Sequence, residues 1–218
     1  MEFAHSYLAS HPNLKAYYRL QDVNDSSGNG NTLTNTGSVT FEAAKFGNGA
    51  SGFSGTKYLH ISSDFSIGGG NATIYFWIKM VSDSLAYCIE LSDIGTRTRF
   101  QVQIGGGSIN YQRIREGVGV ATASASVTTG TSVFHQVALT YDTSTIRGYY
   151  DGVLVATTTQ SGNGSSGGSE EFVIGGVTGD SFVTAIMDDV AVLSTPLSAQ
   201  DIAMLYQDSA SSILLAVL

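Results

Sequence analysis

A single cysteine, Cys88, stands among 218 residues, so no intramolecular disulfide is possible. Proline is almost as scarce, with only Pro12 and Pro196, and strand ladders therefore lose few backbone donors. Charged residues make up 13% of the chain, well under the share of roughly 25% in typical soluble domains. Cations are the scarcer sign: 10 Lys and Arg against 18 Asp and Glu leave a net charge of −8. Phosphate binding needs a basic footprint, so this balance argues against nucleic acid as a partner. No run approaches the roughly 20 apolar residues that span a bilayer as a helix. The opening Met1-Glu-Phe-Ala-His-Ser-Tyr7 has neither a basic start nor an apolar core and is no secretory signal. The expected settings are a virion, a cell surface or the extracellular space, reached by lysis or as a piece of a larger secreted protein.

What fills the space is Ser, Thr, Asn and 26 Gly, a composition suited to many strands joined by tight turns. A chain of this length builds one ordinary all-β domain and buries a large core. The hydrophobic period is two, as a half-buried sheet requires. Phe100-Gln-Val-Gln-Ile104 alternates cleanly, and Val133, His135, Val137, Leu139 and Tyr141 share one strand face. Glycine-rich breaks fall at 68–70, 105–107 and 161–169, and nothing marks a domain boundary or a repeat. Ser198 precedes Asp201 by three, a capping-box spacing that starts a helix carrying Ile202, Leu205 and Tyr206 on one stripe. The apolar end, residues 208–218 with Ile213-Leu-Leu-Ala-Val-Leu218, has to be buried on the domain itself or on a neighbouring subunit. Sequons at Asn24, Asn71 and Asn163 carry meaning only in a secretory pathway.

Several segments have a family order. Tyr17-Tyr-Arg-Leu20 precedes Asp25-Ser-Ser-Gly-Asn-Gly30; then come Lys45-Phe-Gly-Asn-Gly-Ala50, Lys57-Tyr-Leu-His-Ile61 and Thr73-Ile-Tyr-Phe-Trp-Ile-Lys79. Phe134-His-Gln-Val-Ala-Leu-Thr-Tyr-Asp142, Gly148-Tyr-Tyr-Asp-Gly-Val-Leu-Val155 and Ile186-Met-Asp-Asp-Val-Ala-Val192 follow. Over about residues 15–207 the chain resembles the laminin G-like and pentraxin-like branch of the concanavalin A-like lectin and glucanase superfamily. Phe134 stands where that family usually has Trp, and Ala185 where a Gly is common. The resemblance implies a jelly-roll β-sandwich of two antiparallel sheets with one short C-terminal helix. It also implies a non-catalytic lectin-like module that binds glycans or mediates surface attachment; the alternatives are a structural or decoration subunit and, more remotely, a degenerate glycosidase.

The residues are consistent with that expectation. Retaining glucanases need two carboxylates about 5–5.5 Å apart, which one strand supplies by placing acids two or four positions apart. Here Glu90 and Asp93 are three apart, and the Glu170-Glu171 and Asp188-Asp189 neighbours diverge, so no catalytic residues are assigned. Cys88 lies in an apolar stretch, where an inert thiol is expected. For calcium, which collects six to eight oxygens, the loop 24–31 offers Asp25 and Asn29. In the family this loop often lies near the late acidic strand, so Asp25, Asn29 and Asp188 form the expected structural calcium site. The alternative is that Asp25 and Asn29 only satisfy turn backbone. For a ligand, Arg97, Arg99, Gln101 and Gln103 alternate on one strand, and Tyr111, Arg113 and Arg115 on the next. If Gly105–Gly107 closes a hairpin, these side chains make one surface suited to an acidic glycan, since guanidinium forks pair carboxylates and sulfates. The alternative is a solvated outer face.

Overall fold

The computed structural model describes residues 2–63, 65, 67, 70–93, 98–162, 170–177 and 181–211. In chain order the elements are α1 (Glu2–Ser10), β1 (Leu14–Tyr18), β2 (Thr34–Thr36), β3 (Thr40–Ala44), β4 (Gly47–Ser51), β5 (Tyr58–Ser63), β6 (Ala72–Met80) and β7 (Ala86–Asp93). Then follow β8 (Arg99–Gly105), β9 (Ser108–Arg115), β10 (Gly119–Ser126), β11 (His135–Tyr141), β12 (Thr145–Tyr150), β13 (Val153–Thr159), β14 (Glu170–Ile174), β15 (Ala185–Leu193) and α2 (Ala199–Ser211). The strands form two antiparallel sheets. The first has the order β13-β12-β11-β6-β15-β4-β3, with β1 also on β15; the second runs β10-β9-β8-β7-β14-β5-β2. This is the expected jelly-roll sandwich. Residues 212–218 of the apolar end and Arg97 lie outside the described residues.

The alternation read from the sequence becomes the inter-sheet core. Ile74, Phe76 and Ile78 of β6 meet Val137, Leu139 and Tyr141 of β11, and the second sheet contributes Phe100, Val102, Tyr111 and Phe172. The central strands of the first sheet, β6, β11 and β15, are buried on both faces, because α1 and α2 cover the outer side with Ala4, Leu8, Ile202 and Leu205 over Tyr17, Tyr75, Trp77 and Tyr149. Hence β11 is buried at every position and its far face is less polar than a half-buried strand requires. The helix α2 begins as its spacing predicts. The Ser198 hydroxyl donates to the Asp201 carboxylate at 2.6 Å, and the Asp201 amide donates back to the Ser198 hydroxyl at 3.1 Å. Tyr206 then stacks on Trp77 at 5.9 Å. The helix α1 has no counterpart in the sequence expectation; Ala4 and Leu8, one turn apart, are its buried stripe.

At Gly148 the two sheets approach closely. A Cβ there would fall within the ring of Tyr111, whose hydroxyl donates to the Tyr149 carbonyl at 2.6 Å. Gly148→Ala should therefore lower stability by about 2–4 kcal/mol through overpacking. Gly130→Ala, where a Cβ meets open space, is the control in the same urea titration and should change little.

Candidate functional site

Among the described residues no helix covers the outer face of the second sheet, and burial is graded across its strands. At the two edges, β10 and β2, the outward residues Val120, Thr122, Ser124 and Thr34 are exposed. One strand in, Asn110 and Gln112 of β9 and Tyr58 and His60 of β5 are half-buried. At the centre Glu90, Ser92, Gln101 and Val173 are buried, although their side chains point away from the inter-sheet core. Central strands are shielded by neighbours on both sides and edge strands on one, so β7, β8 and β14 form the buried floor of a polar trough, with β9 and β5 as its sides.

Strand pairing places the chemistry. Gln101 lies opposite Glu90 on one side and Gln112 on the other, and Val173 lies opposite both Glu90 and His60. Glu171, opposite Ser92, is the diagonal neighbour of Glu90, so the two carboxylates share the trough although they come from distant parts of the chain. The Gln101 amide donates to Glu90 Oε2. Burial pushes the Glu90 carboxyl above the usual range and Glu171 adds to the shift, while the Gln101 bond and the Arg99 guanidinium oppose it. His60 Nδ1 stands 3.8 Å from Glu171 Oε1, and its ring lies 5.2 Å from that of Tyr58. Three buried atoms on this face have no hydrogen-bond partner among the described residues: Gln101 Oε1, Gln112 Oε1 and His60 Nδ1. Gln101 is only 3% exposed. Buried polar atoms nearly always find a partner in protein, water or ligand, so these three atoms have hydrogen-bonding capacity left for water or a ligand.

The expected Arg-Tyr surface is not assembled. The hairpin at Gly105–Gly107 does form, but Gly105 pairs with Ser108, and only Gly106 and Gly107 make the turn, at φ of 60° and 72°. A two-residue turn puts Arg99 opposite Ile114 and Phe100 opposite Arg113. One residue of register moves a whole strand to the other face. Arg99 thus faces outward, whereas Tyr111 and Arg113 are fully buried between the sheets. Arg113 sits 4.3 Å from the Tyr141 ring centre and donates to Gln160 Oε1 at 2.9 Å and the Gly162 carbonyl at 2.8 Å. Arg115 donates to the Ser161 carbonyl at 2.9 Å. Both arginines fasten the segment after β13.

The calcium expectation meets a similar difficulty. Both oxygens of Asp25 already accept protein hydrogens, from the amides of Tyr17, Ser27 and Asn31 and the Ser27 hydroxyl, at 2.8–3.0 Å. Asn29 turns its amide nitrogen to the carbonyls of Leu14 and Lys15. Asp188 is fully buried and accepts from the amides of Phe46 and Asp189. These oxygens are engaged separately, and among the described residues no group of three or more His, Cys, Asp or Glu is placed to hold a metal. The donor set does not fit calcium as arranged; Asp25 is the organiser of an Asx turn. Asp25→Ala should cost about 1–3 kcal/mol by orphaning those amides, with the loss equal in calcium and in chelator when followed by thermal unfolding.

A second hollow, of about 330 Å³, lies on the first sheet between β11–β13 and the start of α2. Its walls are Tyr149, Leu154, Pro196 and Leu197, and its charges, Arg147 and Asp142, neutralise each other at 2.6 Å. No orphaned buried acceptor opens into it among the described residues.

Two stacked antiparallel sheets define a jelly-roll sandwich. Residues 53–203 match the family model of the concanavalin A-like lectin/glucanases superfamily of the laminin G type, and the chain belongs to that family. No curated protein sequence matches the chain. Among solved structures it is similar to domain 4 of AbnA, a GH43 extracellular arabinanase from Geobacillus stearothermophilus, in complex with arabinotriose. That likeness has 18% identity and a TM-score of 0.75 and covers 89% of this chain and 98% of the domain. It is also similar to the receptor-binding domain of the botulinum neurotoxin C/D mosaic serotype, at 16% identity and a TM-score of 0.73, covering 90% of this chain and 51% of that one. The binding domain of Paraclostridial Mosquitocidal Protein 1 follows at 12% and 0.71, covering 90% and 52%. The chain thus spans about half of each toxin domain. At these identities the likeness is one of fold.

Proposed function

We propose that this chain is a non-catalytic glycan-binding module and that the trough on the second sheet is its site. The observation that carries the reading is the buried floor of polar side chains with unpartnered acceptors at Gln101 and Gln112. Gln101, at 3% exposure, gives its amide to Glu90 but has no donor for Oε1 among the described residues, which a solvated outer face would supply as water. Half-buried Tyr58 and Tyr87 give the trough ring surfaces for a sugar to lie on. A domain of the same fold, from the arabinanase, is described in complex with arabinotriose, which supports sugar as the kind of ligand. A surface-attachment role in an extracellular or virion assembly is compatible with the same chemistry. A glycan array probed with the wild-type chain and with Gln101→Ala tests the reading. Signal on at least one sugar, lost in the variant while its melting temperature stays within a few degrees, is the expected result; no signal in either, or equal signal in both, contradicts it.

One observation favours a second reading. Glu90 and Glu171 are two carboxylates on one face, and glycosidases use such a pair. Glu90, however, is 6% exposed and accepts the Gln101 amide, which keeps it from protonating a glycosidic oxygen above the floor. We expect no release of reducing ends from arabinan, laminarin or carrageenan. Release that disappears in Glu171→Gln would make the trough an active site.

A further inference from the structure

We infer that the trough selects a neutral, hydroxyl-rich glycan and rejects acidic ones, an inference that rests on the trough being the glycan site. Two of the three atoms waiting for a partner on this face are acceptors: Gln101 Oε1 and Gln112 Oε1 lack donors among the described residues, and His60 Nδ1 takes either role with its tautomer. Beside them stand the Glu90 and Glu171 carboxylates, also acceptors when ionised. Sugar hydroxyls donate as well as accept, and so match all four. Carboxylate and sulfate oxygens only accept; brought to this floor, they would leave the glutamine oxygens buried and unpaired, the kind of mismatch that gives strong discrimination.

Charge works in the same direction. Among the described residues the outward strand positions carry one guanidinium, Arg99, against two carboxylates. Of the other cations that the sequence grouped with it, Arg113 is committed within the core and Arg115 to the Ser161 carbonyl, while Arg97 lies outside the described residues. An acidic polymer would also approach a chain of net charge −8, where repulsion slows encounter and weakens binding at low salt.

The test is biolayer interferometry of the intact chain on immobilised arabinan, β-1,3-glucan, polygalacturonate, carrageenan and chitosan. Wild type, Gln101→Ala, Gln112→Ala and Glu171→Lys are compared in low and in physiological salt. The expected result is binding to at least one neutral polymer that is about tenfold or more tighter than to either acidic polymer, a difference of about 1.4 kcal/mol or more. Gln101→Ala or Gln112→Ala should weaken the neutral interaction, and Glu171→Lys should narrow the gap to the acidic ones. Gln112 is half-buried, so its replacement reports even if Gln101→Ala fails to fold. Tighter binding to polygalacturonate, carrageenan or chitosan that still depends on Gln101 or Gln112 overturns the neutral class and leaves the site in place. Binding to none of the five, or binding indifferent to both glutamines, overturns the site as well.

Discussion

Replacing Arg113 by alanine should cost about 3–5 kcal/mol, as expected when a large, fully buried side chain leaves a cavity and orphaned partners. Its guanidinium lies between the rings of Phe100 and Tyr141, at 5.7 and 4.3 Å, and bridges to Gln160 and Gly162. The Tyr141 hydroxyl serves the carbonyls of the same two residues at 2.7 and 3.1 Å, so the backbone loses only part of its satisfaction. Most of the loss is packing. Arg113→Met should therefore recover about half of it, because the methionine stem refills the volume and avoids burying a charge. Urea unfolding of the two variants decides between packing and charge. If the methionine variant is as unstable as the alanine one, the polar bridge to residues 160–162 dominates instead.

The second large effect is in pH. Asp188 is completely buried, and burial pushes its carboxyl up to about 8, with the neighbouring Asp189 adding to the shift and the amides of Phe46 and Asp189 opposing it. In the unfolded chain the group returns to about 3.8. The folded state then holds one proton more than the unfolded state between these values, so its stability falls as pH rises from about 4 to about 8 and levels off above. Asp189, bonded to His5 Nε2 at 2.6 Å and to the Tyr17 hydroxyl at 3.1 Å, and Lys45, which lies 4.1 Å over the Trp77 ring, are charged or titratable groups near this site. Over the window the change attributable to Asp188 is on the order of 5–6 kcal/mol. Asp188→Asn keeps an acceptor for the amides without the proton, and should flatten the curve and exceed wild type in stability at pH 8. Parallel curves for the two proteins would assign the slope elsewhere.

Much of the sandwich was legible because its signals are local. Asp151-Gly152 takes positive φ at both positions, 50° and 77°, as a tight hairpin turn requires, and the Ser198 cap starts α2 in the place its spacing indicates. Strand alternation likewise sorted the side chains of β11 into two faces, of which the one with Val137, Leu139 and Tyr141 meets the inter-sheet core. The site was less legible because it depends on events of one residue and on neighbours far apart in sequence. The turn after β8 uses two residues rather than three, and that alone sent Tyr111 and Arg113 inward. In β7 a bulge between Tyr87 and Ile89 shifts the phase, so that Cys88 and Ile89 both enter the core and Glu90 turns outward. Glu171 reaches Glu90 only because β14 inserts between β7 and β5, some eighty residues away along the chain. The one sequence clue was the run Gln101, Gln103, Asn110, Gln112, too many amides at alternate positions for an idle surface. Asp25 shows the converse: its loop composition suits a metal, yet the turn backbone takes up its oxygens.

The measurement closest to the central claim is an NMR titration of the labelled chain with an oligosaccharide drawn from the array. Binding in the trough should move the backbone amides of Glu90, Gln101, Gln112 and Val173 and the side-chain amides of both glutamines, and leave those around Tyr149, Leu154 and Leu197 on the first sheet in place. Shifts confined to the first sheet and its helices would put the ligand on the opposite side of the sandwich and contradict the account.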